Sequence, residues 1–387
     1  MVVSGAAGTD DERLARVGLS RVIEPGDARV GRLVAETSAC EVWQALCSND
    51  LRVRGVDGYR LRLADADPVA DLDRAATAGI RVVIPGDAEW PVELEAFEAK
   101  RPLLLWVRGE TSLAALTRRA VAVVGARAST DYGEYVAAEL GASLADRGWT
   151  VVSGGAYGID ARAHRGALAA GGATVAVLAC GLDVPYPRGH ERLFDEVAER
   201  GVLVGELPPG CAPTRYRFLE RNRVIAGLAD GVVVVEAALR SGATNTARWA
   251  ERLGRHVMAV PGPVTSQMSA GCHNLLRAHT AECVTGAAEV VEIVGRIGAD
   301  AAPVVRGADR PRDALPADAT RVLEALPARG TCTTDTLVRQ VGLEARRVLG
   351  LLGGLEATGW VDRAGDGWCL GDAALSASSR DTPGGGA

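Results

Sequence analysis

Residues 121 to 165 constrain the fold more tightly than any other stretch: VAVVGARASTDYGEYVAAELGASLADRGWTVVSGGAYGIDARAHR. Two short apolar runs, Val121 to Val124 and Thr150 to Val152, each break into a loop of small residues that opens a helical pattern. Apolar runs of that length, bounded by glycine, read as buried parallel strands joined by a crossover helix. The loops of such a βαβ unit stand side by side above the carboxyl ends of the strands, where ligands bind. Glycine lets a ligand approach the backbone, and free N–H groups at a helix start favour an anion. The expected cradle is Gly125, Ala126, Arg127, Ser129 and Thr130 in the first loop, with Ser153, Gly154, Gly155 and Tyr157 in the second.

The anion is not expected to be a dinucleotide. Neither loop matches GxGxxG, and the second strand ends in Ser153 where a ribose-binding acid would stand. No GxxxxGKS loop is present, so ATP hydrolysis is not indicated and no cofactor is expected. Arg127 suits bidentate phosphate recognition, or pairs with a nearby carboxylate; the residues alone leave both open.

Along the chain, 1 to 10 reads as a loose tail and 11 to 76 as a small helical domain, either a packing module or one of helix-hairpin-helix type. From 77 to 297 strands and helices alternate, the rhythm of a Rossmann-like, doubly wound parallel sheet, with Ile80 to Ile84 and Leu103 to Val107 extending one edge. Residues 298 to 316, rich in Ala, Pro and charge, read as a linker. Residues 317 to 371 read as three helices and a hairpin turning at Asp366-Gly367, a winged helix suited to protein docking or duplex DNA. Residues 372 to 387 read as a disordered tail. The fold class is therefore α/β with a helical front and a C-terminal winged helix.

Charge sharpens this reading. The formal net charge of the 387 residues is −6, so a polyanion must be met by a local basic patch. The eight cysteines form no CxxC pair, and Cys272, His273, His279 and Cys283 match no common zinc spacing, so no metal is expected and a reducing cytoplasm is. No apolar run reaches the ~18 residues that span a bilayer, and no membrane association is expected. The basic patch is supplied by loops after later strands: Arg188 and Arg192, then Arg215, Arg217, Arg221, Asn222 and Arg223, then Ser241, Thr244 and Asn245 at a helix start. Tyr157, Tyr186, Tyr216 and Phe218 interleave them. Arginines beside aromatic faces suit a single nucleic-acid strand, whose bases stack while its phosphates pair. Arg221 to Arg223 could instead be buried against Glu206 or Glu236. Asp160 and His164, four apart on a helix, could form a base and its orienter, but no nucleophile elbow accompanies them, and no catalytic residue is expected.

With these residues assembled, the chain resembles the DNA-processing protein A family, also called DprA or Smf. The carriers are VVGAR ending at Arg127, SGGAYGIDARAH from Ser153, CGLDVPYP from Cys180, RNRVIAGL from Arg221, VVVVEA before Ala238, SGATNTA from Ser241 and GCHNLL from Gly271. The resemblance implies a non-catalytic homodimer that binds single-stranded DNA, loads the RecA recombinase and protects incoming DNA in natural transformation. It also implies that the Arg127 loop, the Ser153 to Gly158 loop and Arg188 or Arg192 hold phosphates. Tyr157 stands where the family commonly has Arg, the residue after YP is Arg where many relatives have Lys, and HTAECV at 279 to 284 departs from the usual pattern. A nucleotide-binding enzyme of phosphoribohydrolase type is the alternative, but such proteins carry PGGxGTxxE, and neither SGATNTA nor PGPVTS supplies its glutamate.

Overall fold

The structure, a computed structural model, describes residues 4–296, 300–303 and 311–379. The chain divides into two compact units, Met1–Ala302 and Pro303–Ala387.

The first unit opens with α1 (Ser4–Val22), α2 (Ala28–Glu36), α3 (Ala39–Cys47), α4 (Val56–Leu63) and α5 (Pro68–Thr77). Helix α1 already starts at Ser4, inside the stretch expected to be a loose tail. Side-chain oxygens of Asp27, Ser38 and Asp67 accept the first free N–H groups of α2, α3 and α5, which fixes where those helices begin. These helices share a core with the sheet: Val17 and Ala75 pack with Leu104, Trp106 and Leu203.

The sheet follows as β1 (Ile80–Val83), β2 (Leu105–Arg108), α6 (Leu113–Leu116), β3 (Ala120–Val124), α7 (Asp131–Asp146), β4 (Thr150–Ser153), α8 (Ile159–Ala169) and β5 (Thr174–Leu178). The unit continues with α9 (Glu191–Arg200), β6 (Val202–Gly205), α10 (Arg215–Gly227), β7 (Gly231–Val234), α11 (Gly242–Arg252), β8 (His256–Ala259), α12 (Ala270–Arg277), β9 (Glu282–Cys283) and α13 (Ala287–Val294). Among the described residues the nine strands run in the order β1-β2-β6-β5-β4-β3-β7-β8-β9. All pairs from β6 to β9 are parallel, and β1 and β2 join one edge antiparallel.

Every residue of β3 is buried, which explains its unbroken apolar run. Its side chains alternate between faces: Val121 and Val123 pack with α7, α8 and α13, while Ala122 and Val124 pack with α10 and α11.

The second unit holds α14 (Ala317–Glu324), β10 (Cys332–Thr333), α15 (Thr334–Val341), α16 (Ala345–Ala357), β11 (Val361–Ala364), β12 (Gly367–Leu370) and α17 (Asp372–Ser379), a winged helix built on Leu337, Val348, Leu352 and Trp360. Two expectations are corrected here. The hairpin turns at Gly365-Asp366, since Ala364 pairs with Gly367 and Gly365 supplies the positive φ of 66°. Residues 372–379 form α17 instead of a disordered tail, its start tied to the wing by the Ala373 N–H on the Gly359 carbonyl at 3.0 Å. Residues 380–387 and the linker positions 298–299 and 304–310 lie outside the described residues.

Candidate nucleic-acid interface

Strands β3 and β7 are parallel neighbours from which the chain leaves in opposite directions, so the crevice above them is the switch point of the sheet. A groove of about 1090 Å³ opens there. It is lined by Gly125 to Ala128 after β3, Asp160 at the start of α8, Tyr186 after β5, Arg215, Phe218, Arg221 and Asn222 on α10, and residues 238–246 with Arg248 after β7.

The first loop is less open than its sequence suggests. The Ala126 N–H donates to the Glu236 carbonyl at 2.8 Å. The Glu236 carboxylate accepts the Thr130 N–H at 2.9 Å and the Thr130 hydroxyl at 2.6 Å. Ser129 donates to Glu134 at 3.1 Å. The expected cradle of free N–H donors at Ala126 and Thr130 is therefore corrected: both are spent on Glu236. Arg127 is exposed, pairs with no carboxylate among the described residues, and lies over the Phe218 ring at 4.6 Å. A cation over an aromatic face is held without being neutralised.

The second loop is a tied turn. Ser153 is fully buried with its hydroxyl on the Val123 carbonyl at 2.6 Å, so it is removed from the exposed site by the strand geometry. The Gly154 carbonyl takes an Arg221 N–H at 2.6 Å, and the Gly155 carbonyl takes His190 Nδ1 at 3.0 Å. Gly158 has φ 78°, and a Cβ there would lie 2.4 Å from the Ala126 carbonyl oxygen, so the two loops pack too closely for a side chain. Tyr157 stays 51% exposed, its ring 4.5 Å from that of His190. Arg188 and Arg192 are exposed near it, without a carboxylate partner among the described residues, and outside the groove wall.

Helix α10 divides its charges between groove and core. Arg221 is buried on the groove floor, donating to Gly154 and Val177 carbonyls, and lies 5.8 Å from the Phe218 ring. Burial lowers it to about 10, with the Asp160 carboxylate opposing that shift. Burial likewise raises Asp160, against the pull of Arg221 and of the Ala156 N–H. Asn222 donates to the Gly242 carbonyl at 3.2 Å, linking α10 to the start of α11. Arg223 is the firmest correction: it is 0% exposed and donates to Glu206 at 2.5 Å, facing the N-terminal side of the core. Arg217 is spent on Glu24 at 2.9 Å.

At the other wall, Ser241 caps α11 by accepting the Thr244 N–H, and the Thr244 hydroxyl donates to the Ser241 carbonyl at 2.7 Å. Neither α10 nor α11 carries an acid in its first turn, whereas α7 has Asp131 and Glu134 and α8 has Asp160. Exposed Arg215, Arg240 and Arg248 stand at these two acid-free starts with no carboxylate partner among the described residues. Arg240 and Arg248 are not among the residues expected from sequence, although Arg240 precedes the Ser241 cap and Arg248 lies four residues after Thr244, one helical turn along the same face.

Asp160 and His164 do not form a pair. His164 is buried with Nδ1 on the Thr174 hydroxyl at 2.7 Å, and burial pushes it down to about 3. Among the described residues, no group of three or more His, Cys, Asp or Glu is placed to hold a metal, and no helix is long and apolar enough to cross a membrane.

Comparison with known proteins agrees with this architecture. Residues 81–295 match the family model described as DNA recombination-mediator protein A, and residues 306–367 match the DprA winged helix domain. A DprA-type DNA processing protein of Mycobacterium tuberculosis is 48% identical over 360 residues, covering 88% of this chain and 90% of the relative. The DNA processing protein DprA of Streptococcus pneumoniae has a solved structure that aligns with a TM-score of 0.63 at 31% identity, covering 74% of this chain and 98% of that one. A DNA processing protein A structure from Helicobacter pylori, described for its single-stranded DNA binding mode, aligns with a TM-score of 0.50 at 27% identity, covering 55% and 94%.

Proposed function

The chain belongs to the DNA recombination-mediator protein A family, and from that premise we propose that it binds single-stranded DNA along the switch-point groove as a recombination mediator. The observation that carries this reading is the set of guanidinium groups of Arg127, Arg215, Arg240 and Arg248, without a carboxylate partner among the described residues, around one groove of an acidic chain. Phosphates pair with those groups, while the exposed Tyr186 and Tyr157 offer ring faces to bases and Phe218 seats Arg127. Arg188 and Arg192 extend the positive track beyond the groove, and Arg221 and Asn222 form its floor. Ser153 and Arg223 act from inside the core, by shaping the loop and seating α10. Little base-edge reading is expected from such a set.

The finer reading follows the family resemblance: the protein is a cytoplasmic, non-catalytic homodimer that loads RecA onto the bound strand and protects incoming DNA during natural transformation. Binding of single-stranded and duplex oligonucleotides at several salt concentrations tests the first part, with preference for the single strand expected. Formation of RecA filaments on strands precoated with single-strand-binding protein tests the second, with faster growth expected when this protein is added. Release of free base from nucleoside monophosphates would instead support the phosphoribohydrolase alternative.

A further inference from the structure

The crevice at the switch point of a doubly wound sheet is where a small nucleotide places its phosphate, against the start of the first helix. In this chain that position is filled from within. Glu236, 1% exposed, leaves the end of β7 and crosses to α7, where its carboxylate accepts the Thr130 N–H at 2.9 Å and the Thr130 hydroxyl at 2.6 Å. That hydroxyl in turn accepts the Gly133 N–H at 3.3 Å. Gly133 makes the room: a Cβ there would lie 2.2 Å from a Glu236 carboxylate oxygen. Asp131 adds negative charge to the same turn, while Glu134 is paired with Arg162 at 2.5 Å. The donors that a phosphate monoester would need here are already taken by a buried carboxylate.

We infer that Glu236, buried behind the groove wall, is a specificity-determining residue: by occupying the Thr130 donors it excludes mononucleotides, so that only an extended strand, held through several diesters by arginines that line the groove, binds. The inference rests on the strand-binding reading above. A monoester carries its charge on one terminal group and has little to gain from scattered guanidinium groups, whereas a strand sums many such contacts.

The test is competition between thymidine monophosphate and labelled oligothymidylate, together with thermal unfolding in phosphate and in chloride at equal ionic strength. In the unsubstituted protein, the monophosphate should displace no strand beyond its ionic-strength effect, and phosphate should add no stability over chloride. Glu236→Ala, and Glu236→Ser as a shorter side chain that keeps a hydroxyl beside Thr130, should bind the monophosphate at least about tenfold more tightly and be stabilised selectively by phosphate. A variant that folds only in phosphate gives the same expected result. Displacement by the monophosphate that is equal in the unsubstituted protein and both variants overturns the inference, as does failure of both variants to fold in either buffer. If the unsubstituted protein binds no strand, the strand-binding reading itself fails, which is a separate outcome.

Discussion

At the start of α7 the capping Thr130 gives its N–H and hydroxyl to Glu236, and Asp131 and Glu134 stand in the same turn. At the start of α11 the capping Ser241 bonds, among the described residues, to its own helix alone, no acid stands in the first turn, and Arg240 and Arg248 flank it. Both helices follow parallel strands that are neighbours in the sheet, and the start of α11 lines the groove whereas the start of α7 lies behind its wall. One end is neutralised internally and the other is left to solvent. An anion site cannot be read from a βα turn alone, because the partner that fills or frees it comes from another strand.

The largest effect that sharpens this contrast belongs to a residue outside the groove. Arg223→Met should lower stability by roughly 3–5 kcal/mol, because Glu206 is left as an unpaired buried carboxylate, and chemical denaturation measures it. The folded fraction should keep its strand affinity, separating an arginine that seats α10 from those that face DNA.

His164 gives the next effect. Its depressed folded pKa means that the unfolded chain takes up the proton first, so its contribution to stability is complete above about pH 6.5 and falls as pH drops toward about 3. Stability should fall by roughly 3 kcal/mol from this group between pH 7 and 4, and His164→Gln should flatten that part of the profile. Strand binding by the folded protein over the same range should not track it, since His164 lies in the core.

Arg127→Ala should weaken oligothymidylate binding by about 1.5–3 kcal/mol, the value of a charge-assisted bond, with thermal stability unchanged to within about 0.5 kcal/mol. Unchanged affinity in an anisotropy titration would remove Arg127 from the track. The smallest and most pointed change is Thr244→Glu, which places an acid at the open start of α11 and completes a capping box with Ser241. It should stabilise the protein by about 0.3–1 kcal/mol while weakening strand binding, two effects of opposite sign from one charge.

Much of the sheet was legible because its signal is local. A run such as AVAVV followed by a glycine loop reads as a buried strand regardless of its neighbours. The edge strands and the winged helix were legible for the same reason. The site was legible only in part. Exposed Arg127 and the capping pair Ser241 and Thr244 follow from position within a βα unit. The burial of Arg223 against Glu206 does not, because Arg221 and Arg223 are two apart on α10 and therefore face different sides, and which side is the core depends on how the N-terminal helices pack. Glu236, a candidate partner for the α10 arginines from sequence, instead serves the backbone and hydroxyl of Thr130, a contact 106 positions away in sequence.

The central claim is that the strand lies along the acid-free helix starts, and its most direct measurement is the salt dependence of oligothymidylate binding. The unsubstituted protein should lose affinity with a slope of log K against log salt of roughly −2 to −4, as three to five phosphates imply. Replacing Arg215, Arg240 and Arg248 together by Ala should reduce that slope by about 2. A slope that stays the same in the triple variant would contradict the account and place the strand elsewhere on the molecule.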